Sequence, residues 1–182
     1  NDGTTFLGTT TYHSLYFKVD GDQIGRLHPN GGIALGLGAS SSVNQAFAIG
    51  ENASAGNTSN YAFGKGANAS GSSAYAIGES SVSSQNKSYA IGTSSTASGT
   101  SSYAIGEGSA SLATGSYAIG AGANSSATGS FAIGNQSISA SNNTLALGNE
   151  AQAINNNATA LEYQAIASNQ NSIAIGPATT SV

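Results

Sequence analysis

The sequence predicts an all-β fold: a parallel β-roll, built as a solenoid of 14-residue coils, with an N-terminal β-hairpin cap. Three observations predict it: a tetrapeptide recurring at a fixed interval, a local period of two inside each unit, and turn residues at constant places. The tetrapeptide begins at Ile33, Phe47, Tyr61, Tyr75, Tyr89, Tyr103, Tyr117, Phe131, Leu145 and Ile173, a single constant step except for the last, which is twice as long. The missing unit stands in register as Thr159-Ala160-Leu161-Glu162, so eleven units follow one another without insertion or deletion, the last cut short at Val182. Disordered repeats drift in length because nothing penalises an insertion. A constant interval therefore means that each unit stacks on the next, even where the composition alone reads as a linker, as it does over 88–108.

The hairpin comes first. Residues 1–32 do not repeat, and they hold the single Arg and both His. Thr11–Val19 reads as a strand, Asp20-Gly21 as a two-residue turn and Asp22–His28 as the return strand. Pro29-Asn30-Gly31-Gly32 then turns the chain into the first coil. A solenoid end leaves an open strand edge, and this segment is placed to cap it. If paired residues sum to 41, His13 faces His28, and this pair is the one candidate for metal ligands. No carboxylate shares the pairing, which favours a plain cross-strand contact.

The roll occupies 33–182. Numbering each unit from the tetrapeptide, position 2 is Ala in all eleven, position 3 is Ile, Leu or Phe, and position 4 is Gly in ten, Glu162 being the exception. Positions 7 and 9 are always Ala, Ser or Thr, whereas position 8 varies freely. This alternation reads as two short strands per coil. Gly at position 4 and the Gly/Asn-rich positions 11 to 13 read as the two turns. At about 4.8 Å per coil the rod is roughly 50 Å long.

Packing is less constrained by this pattern. Facing sheets ordinarily sit about 10 Å apart, a gap that bulky residues at 1 and 3 would fill against small ones at 7 and 9. That arrangement points position 2 outward, and an invariant methyl column there needs a close neighbour. It makes Ala48, Ala62, Ala76, Ala90, Ala104, Ala118, Ala132 and Ala146 the expected contact surface between copies of the rod. The opposite arrangement, with 1 and 3 at a shared axis, stays open. Either way a thin roll has little core of its own, and association supplies burial. Position 8 faces outward, so Val82, Ile138 and Ile166 are candidate contacts for a ligand.

Tyr-Ala-Ile-Gly followed by spaced small residues, unit after unit, resembles the YadA-like head of trimeric autotransporter adhesins, whose repeats read roughly Asn-Ser-Val-Ala-Ile-Gly. The stretches that carry the likeness best are 87–92, 129–134 and 171–176, and it runs from 33 to about 178. The resemblance implies a left-handed parallel β-roll, a parallel homotrimer at an extracellular fibre tip, and attachment to a host surface protein, matrix protein or glycan. Two features depart from it: position 1 is Tyr or Phe in seven units where the family favours Val, and no coiled-coil stalk is recognised. The phrase Phe17-Lys18-Val19-Asp20-Gly21, with Arg26-Leu27 and Gly31–Gly36, is also similar to phage tail-fibre sequences. A phage fibre that binds a host receptor, and a purely structural spacer, are thus the alternatives.

Charge and motifs exclude other classes. Only 7% of residues are charged and the formal charge is −4, with no cluster of Lys or Arg for nucleic acid. No apolar run reaches the roughly 18 residues of a membrane span. The glycines fall on turns, and no Gly-Lys-Ser/Thr phosphate loop occurs. Glu51, Glu79 and Glu107 repeat at position 5 with Lys65 between the first two, which reads as an exposed charge ladder of little energetic weight. No Ser has a His within its coil. The expected protein is non-enzymatic and needs no cofactor.

Overall fold

The computed structural model describes residues 8–41 and 44–181. The first seven residues of the cap segment and the last residue of the roll lie outside the described ones. The described residues form two sheets, one of 13 strands and one of 11. Strands β1 (Leu15–Val19) and β2 (Asp22–Leu27) form the hairpin, and each coil then contributes a three-residue strand to the larger sheet and a two-residue strand to the smaller one, as β3 (Ile33–Leu35) and β4 (Ser40–Ser41) do in the first coil. Coils pair parallel, each residue beside its equivalent one repeat on, Tyr89 beside Tyr103 and Thr96 beside Ala110.

The reason the interval never changes lies in the hydrogen bonds. Tyr89 N–H donates to Ser102 O, the residue that leads into the next coil, at 2.9 Å, and Gly92 N–H to Ile77 O of the preceding coil at 2.7 Å. The turns take part as well: Ser94 N–H reaches Glu79 O at 2.8 Å and Ser101 N–H reaches Asn86 O at 2.9 Å. An inserted residue would strand donors and acceptors around the whole perimeter.

Each coil turns twice. Position 7 N–H bonds back to position 4 O throughout, as in Ser95 to Gly92 at 3.3 Å, and at the second turn several coils add the bond from position 14 N–H to position 11 O, as in Ser88 to Gln85 at 3.2 Å. The third residue of each turn is left-handed, for example Ser94 at φ 56° and Lys87 at φ 55°, the pattern of a type II turn. Gly at position 4 has a different cause. In Gly92, at φ 136°, an added Cβ would lie 2.5 Å from Gly106 O of the next coil. Where Glu162 takes this place, φ falls to 86° and the next rung's bond, Gly176 N–H to Leu161 O, lengthens to 3.2 Å. The register nonetheless continues, Thr159 beside Ile173.

The interior corrects the packing expected from sequence. Position 2 points into the roll, and positions 1 and 3 point out. Ala48, Ala62, Ala76, Ala90, Ala104, Ala118, Ala132 and Ala146 are all 0% exposed in the single chain, so they have no surface to offer a second rod. Positions 7, 9 and 14 complete the core, and its largest fully buried side chains are Asn60 and Thr144. The ordinary sheet spacing misled the expectation. A coil this short, with two tight turns, has too small a perimeter to enclose rings, and small residues fill what remains. Ala and Ser interchange inside because the buried hydroxyls of the middle coils find partners nearby: Ser88 Oγ donates to Gln85 O at 2.6 Å, Ser83 Oγ to Ser88 O at 2.7 Å and Ser95 Oγ to Gly92 O at 2.8 Å. Asn60 does more, its Nδ2 donating to Ala69 O at 2.7 Å while its Oδ1 accepts from Ala74 N–H at 3.0 Å.

The hairpin closes one end. β2 runs antiparallel to β3, so Gly36 N–H finds Ile24 O at 2.8 Å in place of an earlier coil. Among the described residues nothing extends the smaller sheet in the same way. There Ser41 O, which a preceding coil would otherwise bond, accepts from the Arg26 guanidinium instead. Arg26 pairs with Ala34 and so lies on the inward face, the direction from which it can cross beneath the first coil. The single Arg of the chain substitutes for a missing rung.

This bonding can be tested at the turns and at the cap. Gly108→Ala, at φ 62° with open space around it, should cost about 1–2 kcal/mol, whereas Gly92→Ala should cost about 4 kcal/mol or more, both read as urea unfolding midpoints. Equal losses would refute the close-approach explanation. Arg26→Ala should cost about 1.5–3 kcal/mol, the value of a bond to a charged donor. Its hydrogen exchange should quicken at Gly36 to Ser41 well before it does in the middle of the rod.

Candidate functional site

With small residues inside, the bulky apolar side chains of the described coils lie on the surface, and the outer face of the larger sheet becomes the first candidate. Position 1 presents Phe47, Tyr61, Tyr75, Tyr89, Tyr103, Tyr117 and Phe131 in one column. Successive rings stack with centroids 4.7–5.1 Å apart and planes within 3–14° of parallel. In-register parallel strands place identical side chains one rung apart, close to the separation at which aromatic rings attract, and each pair adds about 0.5–1.5 kcal/mol beyond its buried area. That accounts for aromatic residues at position 1. Beside them runs an aliphatic column at position 3, with Ile77, Ile91 and Ile105 still 36–37% exposed. The ring column ends where Leu145 follows Phe131, and a mainly apolar hollow of about 540 Å³ opens there between Gly129 and Leu145.

The outer face of the smaller sheet is more varied. It carries Val82, Ile138 and Ile166, the residues that sequence reasoning singled out at position 8. Leu112 and Ile154 at position 10 are also exposed there, 43% and 38%, and were missed. The signal was present, since the period of two that turns 7 and 9 inward turns 10 outward with 8. Near the C-terminal coils a shallow groove of about 270 Å³ runs between Glu150, Gln164, Gln152 and Ile166, with Gln164 Nε2 donating to Glu150 Oε2 at 2.7 Å.

The turns carry polar ladders. Glu51 and Lys65 meet at 3.4 Å, whereas Glu79 makes no ion pair among the described residues, so the expected charge ladder reduces to one exposed pair. Asparagine forms ladders that sequence reasoning did not pick out: Asn142 Oδ1 accepts from Thr128 N–H at 3.1 Å, and Asn157 Nδ2 donates to Asn171 Oδ1 at 3.0 Å.

At the cap the expected pairing of His13 with His28 is replaced by another register. A bulge between Phe17 and Lys18 shifts the pairing, Val19 facing Asp22 but Leu15 facing Leu27, which projects His28 opposite Ser14. Gly25 drives the shift by letting Phe17 pack over it, its missing Cβ site being 3.0 Å from the Phe17 ring. His13 lies outside the paired strand, yet the chain folds back so that both histidines line one hollow of about 420 Å³, together with Tyr12 and the Thr9–Thr11 stretch. His13 Nδ1 is 2.8 Å from Thr11 Oγ1, and His28 Nδ1 accepts from Asn30 N–H at 3.2 Å. Among the described residues no third His, Asp or Glu joins them.

These features define a class: an in-register β-solenoid whose coils present long, regular outer faces. The family model for the YadA head domain repeat matches residues 69–95, 84–109, 111–137, 140–161 and 163–180, which together span more than half of the chain. The chain belongs to the YadA head family. No curated protein matches it.

The ring column has a pH signature. Burial, then the neighbouring Tyr103 and Tyr75, push the Tyr89 phenol above its ordinary value of 10.0. Because the folded value is raised, the neutral phenol is favoured by folding. That contribution is whole below pH 10.0 and is lost as the pH rises through the folded value. The melting temperature should therefore fall as pH rises above 10.0, and Tyr89→Phe should fall less steeply. Parallel curves for the two proteins would remove Tyr89 from the account.

Proposed function

We propose that the chain is the head of a homotrimeric, non-enzymatic surface fibre that attaches to a host protein, matrix component or glycan. The observation that carries this reading is the outer face of the larger sheet. Three residues at about 3.3 Å each and ten steps at about 4.8 Å make it roughly 10 by 50 Å, or about 500 Å² of largely apolar surface. That is near the upper end for a contiguous patch on a monomer and marks an interaction site. Membership in the YadA head family supports a trimer about a common axis, with the columns at positions 1 and 3 facing that axis. The smaller sheet, with Val82, Ile138 and Ile166, then faces outward together with the turns. An extracellular setting, at the cell surface or on a phage tail fibre, fits a surface of Ser, Thr, Asn and Gly with so few charges.

Trimer and adhesion are tested together. Sedimentation equilibrium should give three times 17.7 kDa for the chain and 17.7 kDa for the Tyr103→Asp/Ile105→Asp variant, while Thr96→Asp on the smaller sheet leaves the trimer intact. A monomeric parent chain, or a trimer that survives the double substitution, would overturn the arrangement. On a panel of immobilised matrix proteins and glycans, dissociation to single rods should weaken retention by about 10²–10⁴ through lost avidity. If the intact trimer is retained by nothing on the panel, the spacer reading replaces the adhesive one.

A further inference from the structure

The hollow at the cap is unlike the rest of the surface. It is the one place among the described residues where both histidines, a strongly exposed tyrosine and three threonines line a common hollow. Its volume of about 420 Å³ falls in the range of small-ligand sites, roughly 300–1,000 Å³. Among the described residues that line it, none is Lys, Arg, Asp or Glu. A phosphate, a carboxylate or a free amine would thus find no opposite charge there. The class that remains is a neutral molecule with many hydroxyls and one apolar face.

We propose that this hollow binds a neutral sugar ring. Tyr12 is 73% exposed and stands outside the stacked column, so its ring has no partner of the kind that covers the coil tyrosines. An open aromatic face suits the C–H face of a pyranose, and an amphipathic ring of this kind often anchors a binding site. The polar groups are held in place beforehand. Thr9 Oγ1 bonds to Thr11 O at 3.1 Å and to His13 O at 3.0 Å, which folds the 9–13 stretch over itself. His13 is held through Nδ1 by Thr11 Oγ1, and His28 through Nδ1 by Asn30 N–H. Each ring is thereby oriented and keeps Nε2 for a ligand, and such preorganisation lowers the ordering cost of binding. At His28 the bond also decides the chemistry. With Nδ1 accepting from Asn30, the neutral ring carries its hydrogen on Nε2 and offers a donor. A metal at Nε2 would require the other tautomer and the loss of that bond, so the site favours a hydroxyl oxygen over a cation.

This deepens the adhesive reading by naming a ligand chemistry at the cap, and it rests on that reading for its biological sense. The test uses the intact chain with methyl glycosides of galactose, glucose and N-acetylglucosamine as probes, and free sialic acid as the charged control. Saturation-transfer NMR should show transfer to at least one neutral probe, with millimolar affinity and none to sialic acid. Tyr12→Ala should weaken binding at least tenfold, and His28→Ala about fivefold, at unchanged melting temperature. Absence of transfer to all three neutral probes, preference for sialic acid, or binding unchanged in Tyr12→Ala would each overturn the proposal. So would zinc bound stoichiometrically by the parent chain and lost in His13→Ala. Because the hollow is built within one chain, sugar binding should persist in the monomeric Tyr103→Asp/Ile105→Asp variant. Failure of the trimer and failure of the sugar site are therefore separate results.

Discussion

Every coil is bonded to its neighbours around nearly its whole perimeter, turns included, and the remaining features of the protein depend on that. Bonding of this density holds every coil to the same length. A coil so short, turning twice through left-handed residues, encloses only a narrow space. Alanine, serine and threonine fill it, with Asn60 the largest guest. Stability then comes less from a deep apolar core than from many repeated backbone hydrogen bonds and nearest-neighbour stacking, as expected of a one-dimensional array.

The same constraint determines the surface. Side chains too large for the interior are displaced outward, and in-register strands gather them into columns. The rings of position 1 therefore stack without any special device, and the aliphatic residues of position 3 run alongside. A fold that excludes bulk from its centre thus acquires a long apolar face, which explains how a low-complexity sequence can carry a recognition surface. The ends are treated differently from the middle. The hairpin extends the larger sheet, Arg26 answers the smaller one, and the folded-back 9–13 stretch adds a hollow lined by Tyr12 and both histidines.

Much of this was legible beforehand. The interval, the two strands per coil, the turns, the hairpin with its Asp20-Gly21 turn and the adjacency of Tyr89 and Tyr103 all follow from local pattern, because strand alternation and rung stacking act between residues whose spacing is visible in the chain. The inward or outward sense of the alternation was not legible. Period two says that positions 1 and 3 share a face opposite position 2, but not which face is the interior. The usual distance between sheets suggested one answer, and the perimeter of the closed coil imposes the other. The histidine pairing failed for a similar reason: a single bulge at Phe17 shifts every pair beyond it, and the bulge depends on how Phe17 packs over Gly25.

What the sequence by itself determined, then, is the repeat: its length, its elements, its family and the identity of every column. What only the tertiary structure decided is where each column lies. The alanine column, which looked like a surface for a second chain, is the sealed interior of one, and the tyrosines, which looked like core, form the exposed face. The physical reason is closure. Which side of a strand is inside depends on the space left when the coil closes on itself, and that space is a property of the whole loop rather than of any residue in it.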